Sequence, residues 1–346
     1  MSDSIIKIAK GKKEFKRFLI AESANRQKIC LNYFGLYGAK PGPNLLLDAA
    51  VHGNEVVGVE VIRKIVERIN PKALSGNLFA IPILNPMAFN SEERWDPYDR
   101  QDMNRIFPGD PEGTLTERMA YFFFEHIVSM SDYIVDLHSA EFPDEMLPHI
   151  RVRIEDPGDE YWLLVHASGM EVIWRGPSVA GMLQTEANRN GIPCITIEIG
   201  AADLVTEKNV EVGIKAIENI MNVLGMIDGE AVVPSQQISL ASNEEWIRTH
   251  IGGIYKPDIE LGALIEKGQK IGDILDPTSF EMDNIISPIK GLITGVTHRS
   301  IVRSGTRLAM LVNFDLENLS RHLIDVPSLP NVRFVENRFL NILNLD

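Results

Sequence analysis

Between residues 28 and 225, short apolar runs alternate with segments of helical periodicity, and no other feature constrains the fold of this chain as tightly. Lys28 to Tyr37 reads as a strand. Residues 44–51 (NLLLDAAV) form the kind of apolar run expected of a strand buried on both faces. His52-Gly53-Asn54-Glu55 follows directly. Val57, Val61, Ile65 and Ile69, with Ile62 and Val66, then recur at helical spacing until Asn70-Pro71 stops the helix. Residues 77–84 predict a third strand, ended by Asn85-Pro86, and a long polar loop runs on to about Pro111. Thr114 and Glu117 supply a capping box for a helix reaching Met130. Residues 132–137 predict a strand with His138-Ser139 at its end. A helix over 178–190 stopped by Gly191, a strand over 192–199 and a helix over 208–224 closed by Gly225 complete the series. Strands alternating with helices predict an α/β fold with a mixed, largely parallel sheet flanked by helices.

The pattern breaks after residue 228. Helical periodicity disappears, and Gly, Pro and short β-rich runs take over to residue 345. The length of 346 residues accommodates two domains of ordinary size, and the expected division is 1–228 and 229–346. The second unit is expected to be a smaller, all-β domain.

Charge and cysteine usage narrow the function classes. With 48 acidic and 34 basic side chains the formal net charge is −14, which disfavours nucleic acid or an anionic membrane as partner because both carry the same sign. A local field can oppose that total, so an anionic small molecule remains compatible. Cys30 and Cys194 lack metal-site spacing and lie in apolar, strand-like runs, so each is expected to be a buried free thiol. The N-terminus lacks a basic segment followed by an apolar stretch, and no run of 18 apolar residues occurs, so a cytoplasmic location is expected.

Open α/β sheets place ligands at the carboxyl ends of their strands. His52, His138 and Glu198 all fall at such ends. Glu198 interrupts an apolar run, and a buried carboxylate without a partner is costly, so it needs a cation, a donor or a proton. An ion pair with a buried Arg is the plainer alternative for it. His52 and Glu55 form an H-x-x-E pair on one tight turn, offering imidazole and carboxylate, both ligand types that zinc accepts. His138 is the natural third ligand, and a His₂Glu set leaves one position of a catalytic zinc open to water. A nearby carboxylate could then take the proton of that water.

The motifs HGNE at 52–55, DMNRIFPG at 102–109, DLHS at 136–139 and TIEIG at 196–200 resemble the succinylglutamate desuccinylase/aspartoacylase family, a branch of the zinc carboxypeptidase superfamily. The likeness covers roughly residues 25–225, with the motifs in the family's order. It implies a carboxypeptidase-like mixed sheet followed by a smaller β domain. It implies one zinc per chain on His52, Glu55 and His138, with Glu198 as general base. Asn104 and Arg105 match the pair that grips a substrate carboxylate, and Arg94 matches an arginine that polarises the scissile carbonyl. The planar fork of arginine suits the first task, and a fixed cation beside a developing oxyanion suits the second. Asp102 and Asp136 are expected to orient the ligands, Asp136 being two residues before His138 and so on the same side of an extended segment. His149 is a further residue that could reach the pocket, whose walls are expected to come from the loop 140–153 and from Val179 to Leu183.

The C-terminal part resembles a biotinyl/lipoyl-type barrel-sandwich hairpin at residues 266–272 and 287–291. Its tip, Thr278 to Asp283, has no lysine, so a carrier role is not expected and a domain that shapes or covers the active site is. Three functions follow for comparison. The first is a zinc-dependent deacylase that hydrolyses the amide bond of a small N-acyl amino acid, or a related N-acyl amine, carrying a free carboxylate; an N-acetylated diamino acid, as in ectoine breakdown, is one such substrate. The second is a zinc carboxypeptidase acting on peptides. The third is a binding module on a degenerate fold, which the intact set of His52, Glu55, His138 and Glu198 argues against. A homo-oligomer is left open.

Overall fold

The computed structural model describes residues 9–141, 143–155, 157–240, 244–312 and 322–342. The chain opens with β1 (Lys12–Glu22), β2 (Lys28–Tyr37) and β3 (Lys40–Ala49), then α1 (Val57–Arg68), β4 (Ser75–Ile81), α2 (Pro86–Ser91) and α3 (Leu115–His126). It continues with β5 (Tyr133–Ala140), β6 (Asp144–Val152), α4 (Asp159–Ala167), β7 (Val172–Arg175), α5 (Leu183–Arg189), β8 (Cys194–Ala201) and α6 (Glu207–Val223). In the sheet these strands run β1-β2-β4-β3-β5-β8-β6. The pairs β3/β4, β3/β5 and β5/β8 are parallel, whereas β1/β2, β2/β4 and β6/β8 are antiparallel.

β3 has β4 on one side and β5 on the other, so the chain reverses its direction of travel across the sheet at β3/β5. Such a reversal opens a crevice at the strands' carboxyl ends. The sheet is covered on both faces. One core joins α1, α4 and α6 to the sheet through Val61, Ile65, Leu164, Ile214 and Ile217; the other joins α3 and α5 through Met119, Phe123, Leu183 and Ala187. Burial on both faces is why β3, β5 and β8 read as largely apolar runs without strict alternation.

The sheet does not stop at residue 228. The C-terminal strands are β9 (Ala231–Pro234), β10 (Gln236–Leu240), β11 (Glu244–Arg248), β12 (Gly253–Pro257), β13 (Leu264–Ile265) and β14 (Lys270–Leu275). They continue with β15 (Met282–Ile286), β16 (Gly291–Thr297), β17 (Ile301–Val302) and β18 (Arg307–Val312), before β19 (Leu323–Asp325), β20 (Val332–Val335) and a short α7 (Arg338–Ile342). β16 pairs antiparallel with β6, and β10 pairs parallel with β7, so the C-terminal β region hydrogen-bonds directly onto the α/β sheet. A separate four-stranded sheet, β15-β14-β12-β17, lies over this extension; Ile271 and Ile285 from that sheet meet Ile247, Ile293 and Leu311 in a shared core. That is the sandwich arrangement expected from the sequence. No helix among the described residues is long and apolar enough to cross a membrane. Cys194 is buried as expected, but Cys30 is only half-buried, and both are free thiols.

Three local expectations change. Residues 140–153 hold β6, not a continuous loop. The helix expected over 178–190 begins only at Leu183. The long loop after Asn85 contains α2, whose N-terminus is capped by Asn85 accepting from Ala88 N–H at 3.0 Å, and a single 3₁₀ turn over Met103–Arg105.

Candidate active site

The HGNE turn is fixed from below. A Cβ on Gly53 would lie 1.9 Å from the carbonyl carbon of Ala88 in α2, so only glycine allows the turn to pack there. The turn closes with Glu55 N–H donating to His52 C=O at 3.2 Å. It lifts both side chains over the end of β3, where they meet His138 from β5.

The three groups converge. Nδ1 of His52 lies 2.6 Å from Glu55 Oε1, and Nδ1 of His138 lies 2.8 Å from Glu55 Oε2. The backbone N–H of Ser139 donates to the same Oε2 at 3.1 Å. All three side chains are buried, and one ligand atom from each lies within 4.8 Å of the others. The outer nitrogens are also engaged. His52 Nε2 is 3.2 Å from Asp102 Oδ1, and His138 Nε2 is 3.0 Å from the Asp136 carboxylate. Each imidazole therefore offers Nδ1 inward while a carboxylate holds Nε2, the arrangement that fixes tautomer and ring orientation in metal-binding histidines. Asp102 and Asp136 stand where the sequence reading expected them.

The electrostatics ask for a cation. Burial pulls the His138 imidazolium down, but the carboxylates of Asp136 and Glu55 outweigh it and hold the group well above the usual histidine range. His52 is raised by the same competition, burial being outweighed by Glu55 and Asp102. Burial pushes Glu55 up, and the two imidazoles pull it well below the usual carboxylate range. Asp48, opposite Asp136 in the β3/β5 register, is fully buried and raised, first by desolvation and then by the charge of Asp136. Two imidazoles and a carboxylate, backed by further acids, form a donor set that fits zinc.

Arg94 reaches the cluster. Its Nε and one terminal nitrogen approach Asp102 Oδ2 at 3.1 and 3.0 Å, and the other terminal nitrogen is 3.6 Å from Glu55 Oε1. Asp102 is pushed up by burial, but His52, Arg94 and Arg105 together hold it well below the usual carboxylate range. Asn104 is buried. Its Oδ1 accepts from Leu183 N–H at 2.8 Å, which directs Nδ2 toward the His138 ring, 3.4 Å from Nε2. Arg105 is exposed, and its guanidinium donates to the carbonyl of Asn104 at 2.6 Å. Gly181, at φ +79°, packs against this segment so closely that a Cβ would meet the Arg105 carbonyl oxygen at 2.0 Å. Phe107 N–H donates to the Gly181 carbonyl at 3.0 Å.

All seven sequence-predicted site residues, His52, Glu55, Arg94, Asn104, Arg105, His138 and Glu198, line one cavity of about 540 Å³. Glu198 stands opposite His138 in the β5/β8 register, and its Oε1 lies 3.2 Å from Nε of Arg151 on β6. A larger concavity of about 660 Å³, lined by Trp162, His166 and Arg175, contains none of the seven, so its size does not make it the site of the chemistry. His149 does not line the cavity. It is fully buried, donates from Nδ1 to the Leu147 carbonyl at 2.7 Å, and is pushed down to about 3 by burial and by Arg151.

The segments 140–153 and 179–183 line the cavity as expected, through Ala140, Asp144, Met146, Arg151 on β6, Arg153 just after it, and Met182; Trp246 from β11 and Arg307 and Met310 from β18 escaped the sequence reading. Trp246 faces Met310 in the β11/β18 register, and the Arg307 guanidinium lies 4.8 Å over the Trp246 ring. A terminal nitrogen of Arg307 is 3.9 Å from the Asp144 carboxylate. Five arginines thus line a cavity in a chain of net charge −14. Alternation along a recognised strand at 144–152 would have brought Arg151 and Arg153 to one face; no local signal brings in Trp246 or Arg307.

A mixed sheet flanked by helices, with a C-terminal β region, is the carboxypeptidase-like fold, and solved structures share that fold. One is the ectoine utilization protein EutE (DoeB) from Ruegeria pomeroyi, which has a TM-score of 0.74 at 22% identity over 89% of this chain and 98% of that one. Residues 41–224 match the succinylglutamate desuccinylase/aspartoacylase catalytic domain, and the chain belongs to that family of amide-bond hydrolases. Among its relatives, the N-alpha-acetyl-L-2,4-diaminobutyric acid deacetylase of Halomonas elongata is 26% identical over 68% of this chain and 72% of its own length. The succinylglutamate desuccinylase of Pseudomonas aeruginosa is 29% identical over 56% of this chain and 60% of its own length.

Proposed function

We propose that this chain is a zinc-dependent deacylase that releases a small amino acid from its N-acyl derivative. The observation that carries the proposal is the convergence of His52 Nδ1, Glu55 and His138 Nδ1 in the same cavity as Glu198. Both named relatives act, by their names, on N-acylated amino acids, which supports that substrate class. The cavity's 540 Å³ suits a small molecule better than a peptide.

His52, Glu55 and His138 would hold the zinc. When bound, the metal supplies Lewis acidity toward the scissile carbonyl and toward water. Glu198 takes a proton from the attacking water and passes it to the leaving amine. Arg94 stands beside the cluster and donates to the oxygen on which negative charge develops. Arg105, exposed at the cavity edge, anchors the substrate carboxylate with its planar fork, and Asn104 Nδ2 donates alongside it. The C-terminal region, through Trp246, Arg307 and Met310, closes one side and shapes the space for the substrate.

Elemental analysis should find a single zinc per chain, with most of it lost from His138→Ala. A screen of N-acetyl, N-formyl and N-succinyl amino acids should find a hydrolysed substrate for the zinc-loaded enzyme. Full zinc retention in His138→Ala would overturn the ligand assignment. Peptide cleavage without turnover of any N-acyl amino acid would favour the carboxypeptidase reading instead.

A further inference from the structure

Glu198 has a cationic partner in Arg151, and nothing in the mechanism above uses it. The pairing is built into the sheet. Arg151 stands opposite Thr196 in the β6/β8 register, and both line the cavity, which sets the arginine diagonally across from Glu198. The β6 backbone is fixed at that point from α5: Gln184 Nε2 donates to the Arg151 carbonyl at 2.7 Å, and Gln184 Oε1 accepts from Arg153 N–H at 2.9 Å. The guanidinium is held from behind as well. It lies 5.8 Å over the Trp174 ring, and a terminal nitrogen is 3.4 Å from Nε2 of His149, a neutral acceptor because Nδ1 carries the proton donated to Leu147.

We propose that Arg151 is a positioning residue for Glu198, supplying the fixed positive charge that keeps the carboxylate on the cavity wall facing the His–Glu–His cluster. The inference rests on the reading of Glu198 as the base. Two observations separate this role from substrate anchoring. First, Nε of Arg151 faces Glu198 and a terminal nitrogen faces His149, so two of its nitrogens are directed at protein groups, whereas Arg105 is exposed and donates to its neighbour's carbonyl. Second, the Nε–H of Arg151 is not aligned for a hydrogen bond to Glu198, so the 3.2 Å contact is an ion pair and not a bidentate fork. A charge-based contact tolerates lysine; a fork on a carboxylate does not.

The test uses the full-length, zinc-loaded enzyme with Arg151→Met, which keeps an apolar stem against Trp174, and Arg151→Lys, each checked for thermal stability and zinc content. Since general-base help is worth about 10²–10⁴-fold, losing the positioning charge should lower kcat of Arg151→Met roughly tenfold to a hundredfold with KM little changed. Arg151→Lys should recover most of that loss. In a Glu198→Gln background, Arg151→Met should cause no further loss, because its effect passes through Glu198. A raised KM with kcat kept, in both Arg151 variants, would make Arg151 a substrate anchor and overturn the inference. So would an undiminished loss in the Glu198→Gln background, or an unchanged kcat in Arg151→Met. If Glu198→Gln itself worked near the wild-type rate, the base assignment would fall, a result independent of either Arg151 variant.

Discussion

The two walls of the cavity are built in opposite ways. One wall comes from the carboxyl ends of parallel strands: His52 and Glu55 after β3, His138 on β5, and Glu198 on β8. His52, Glu55 and His138 are buried and interlocked, every imidazole nitrogen lying within 3.2 Å of a carboxylate oxygen, and Glu198 is half-buried. The other wall comes from antiparallel strands distant in the chain: Arg151 on β6 with Arg153 just after it, Trp246 on β11, Arg307 and Met310 on β18. Its Arg307 is more loosely held, by a ring face and a carboxylate 3.9 Å away. The first wall has the rigidity that chemistry requires, because a reacting group displaced by an ångström loses much of its effect. Apart from Arg151, which pairs with Glu198, the second has residues such as Trp246, Arg307 and Met310 that can change without disturbing the first, and substrate preference is expected to lie there.

Three substitutions test that division, in decreasing order of effect. Glu198→Gln should retain fold and zinc content while losing about 10²–10⁴-fold in kcat, since Gln keeps the size but cannot take a proton. Turnover within about tenfold of wild type would move the base elsewhere and dissolve the distinction between the walls.

Arg105→Lys tests the border between the walls. It should weaken kcat/KM for acylated amino acids by roughly 1.5–3 kcal/mol, the range for a hydrogen bond to a charged group. Acylated amines without a carboxylate should be poor substrates of the wild type and nearly unaffected by the change. An equal fall for both substrate types would assign Arg105 to the chemical wall.

The smallest effect belongs to Trp246→Ala. Zinc content should not change, and kcat/KM for the favoured acyl derivative should fall relative to the others by about 0.5–2 kcal/mol, the scale of an aromatic contact with a cation. A uniform loss across all substrates, with no change in preference, would show that Trp246 supports the fold and does not select.

How much of this was legible in the sequence follows the same line. The chemical wall sits on tight turns after apolar strands, so its residues are close in sequence to strong local signals: HGNE after NLLLDAA, DLHS after DYIV, and Glu198 within ITIEIG. The second wall depends on pairing that no local pattern reveals. β6 (DEMLPHIRV) contains Pro148 and three charged side chains, and reads as a loop; it is a strand because β8 pairs with it on one side and β7 and β16 on the other. α5 starts late because Gly181 adopts a left-handed conformation to lie on the Arg105 carbonyl, a contact set by tertiary packing. β1 (KKEFKRFLIAE) is an edge strand whose hydrophobic residues, Phe15 and Phe18 to Ala21, do not alternate, and Phe15 and Leu19 are more than half exposed, a weak signal among its charges.

The pairing of β16 with β6 has a consequence for how such a chain can be cut or recombined. A protein ended near residue 228 would bare part of the outer edge of β6, with its N–H and C=O groups open to any passing strand. The same cut would remove β10 from β7 and leave a second ladder unfinished. A motif search that keeps only residues 41–224 therefore isolates the catalytic sequence but not a piece of protein that can be transplanted. Exchange of this enzyme's parts between relatives is expected to succeed at loops, and to fail at the boundary where composition changes.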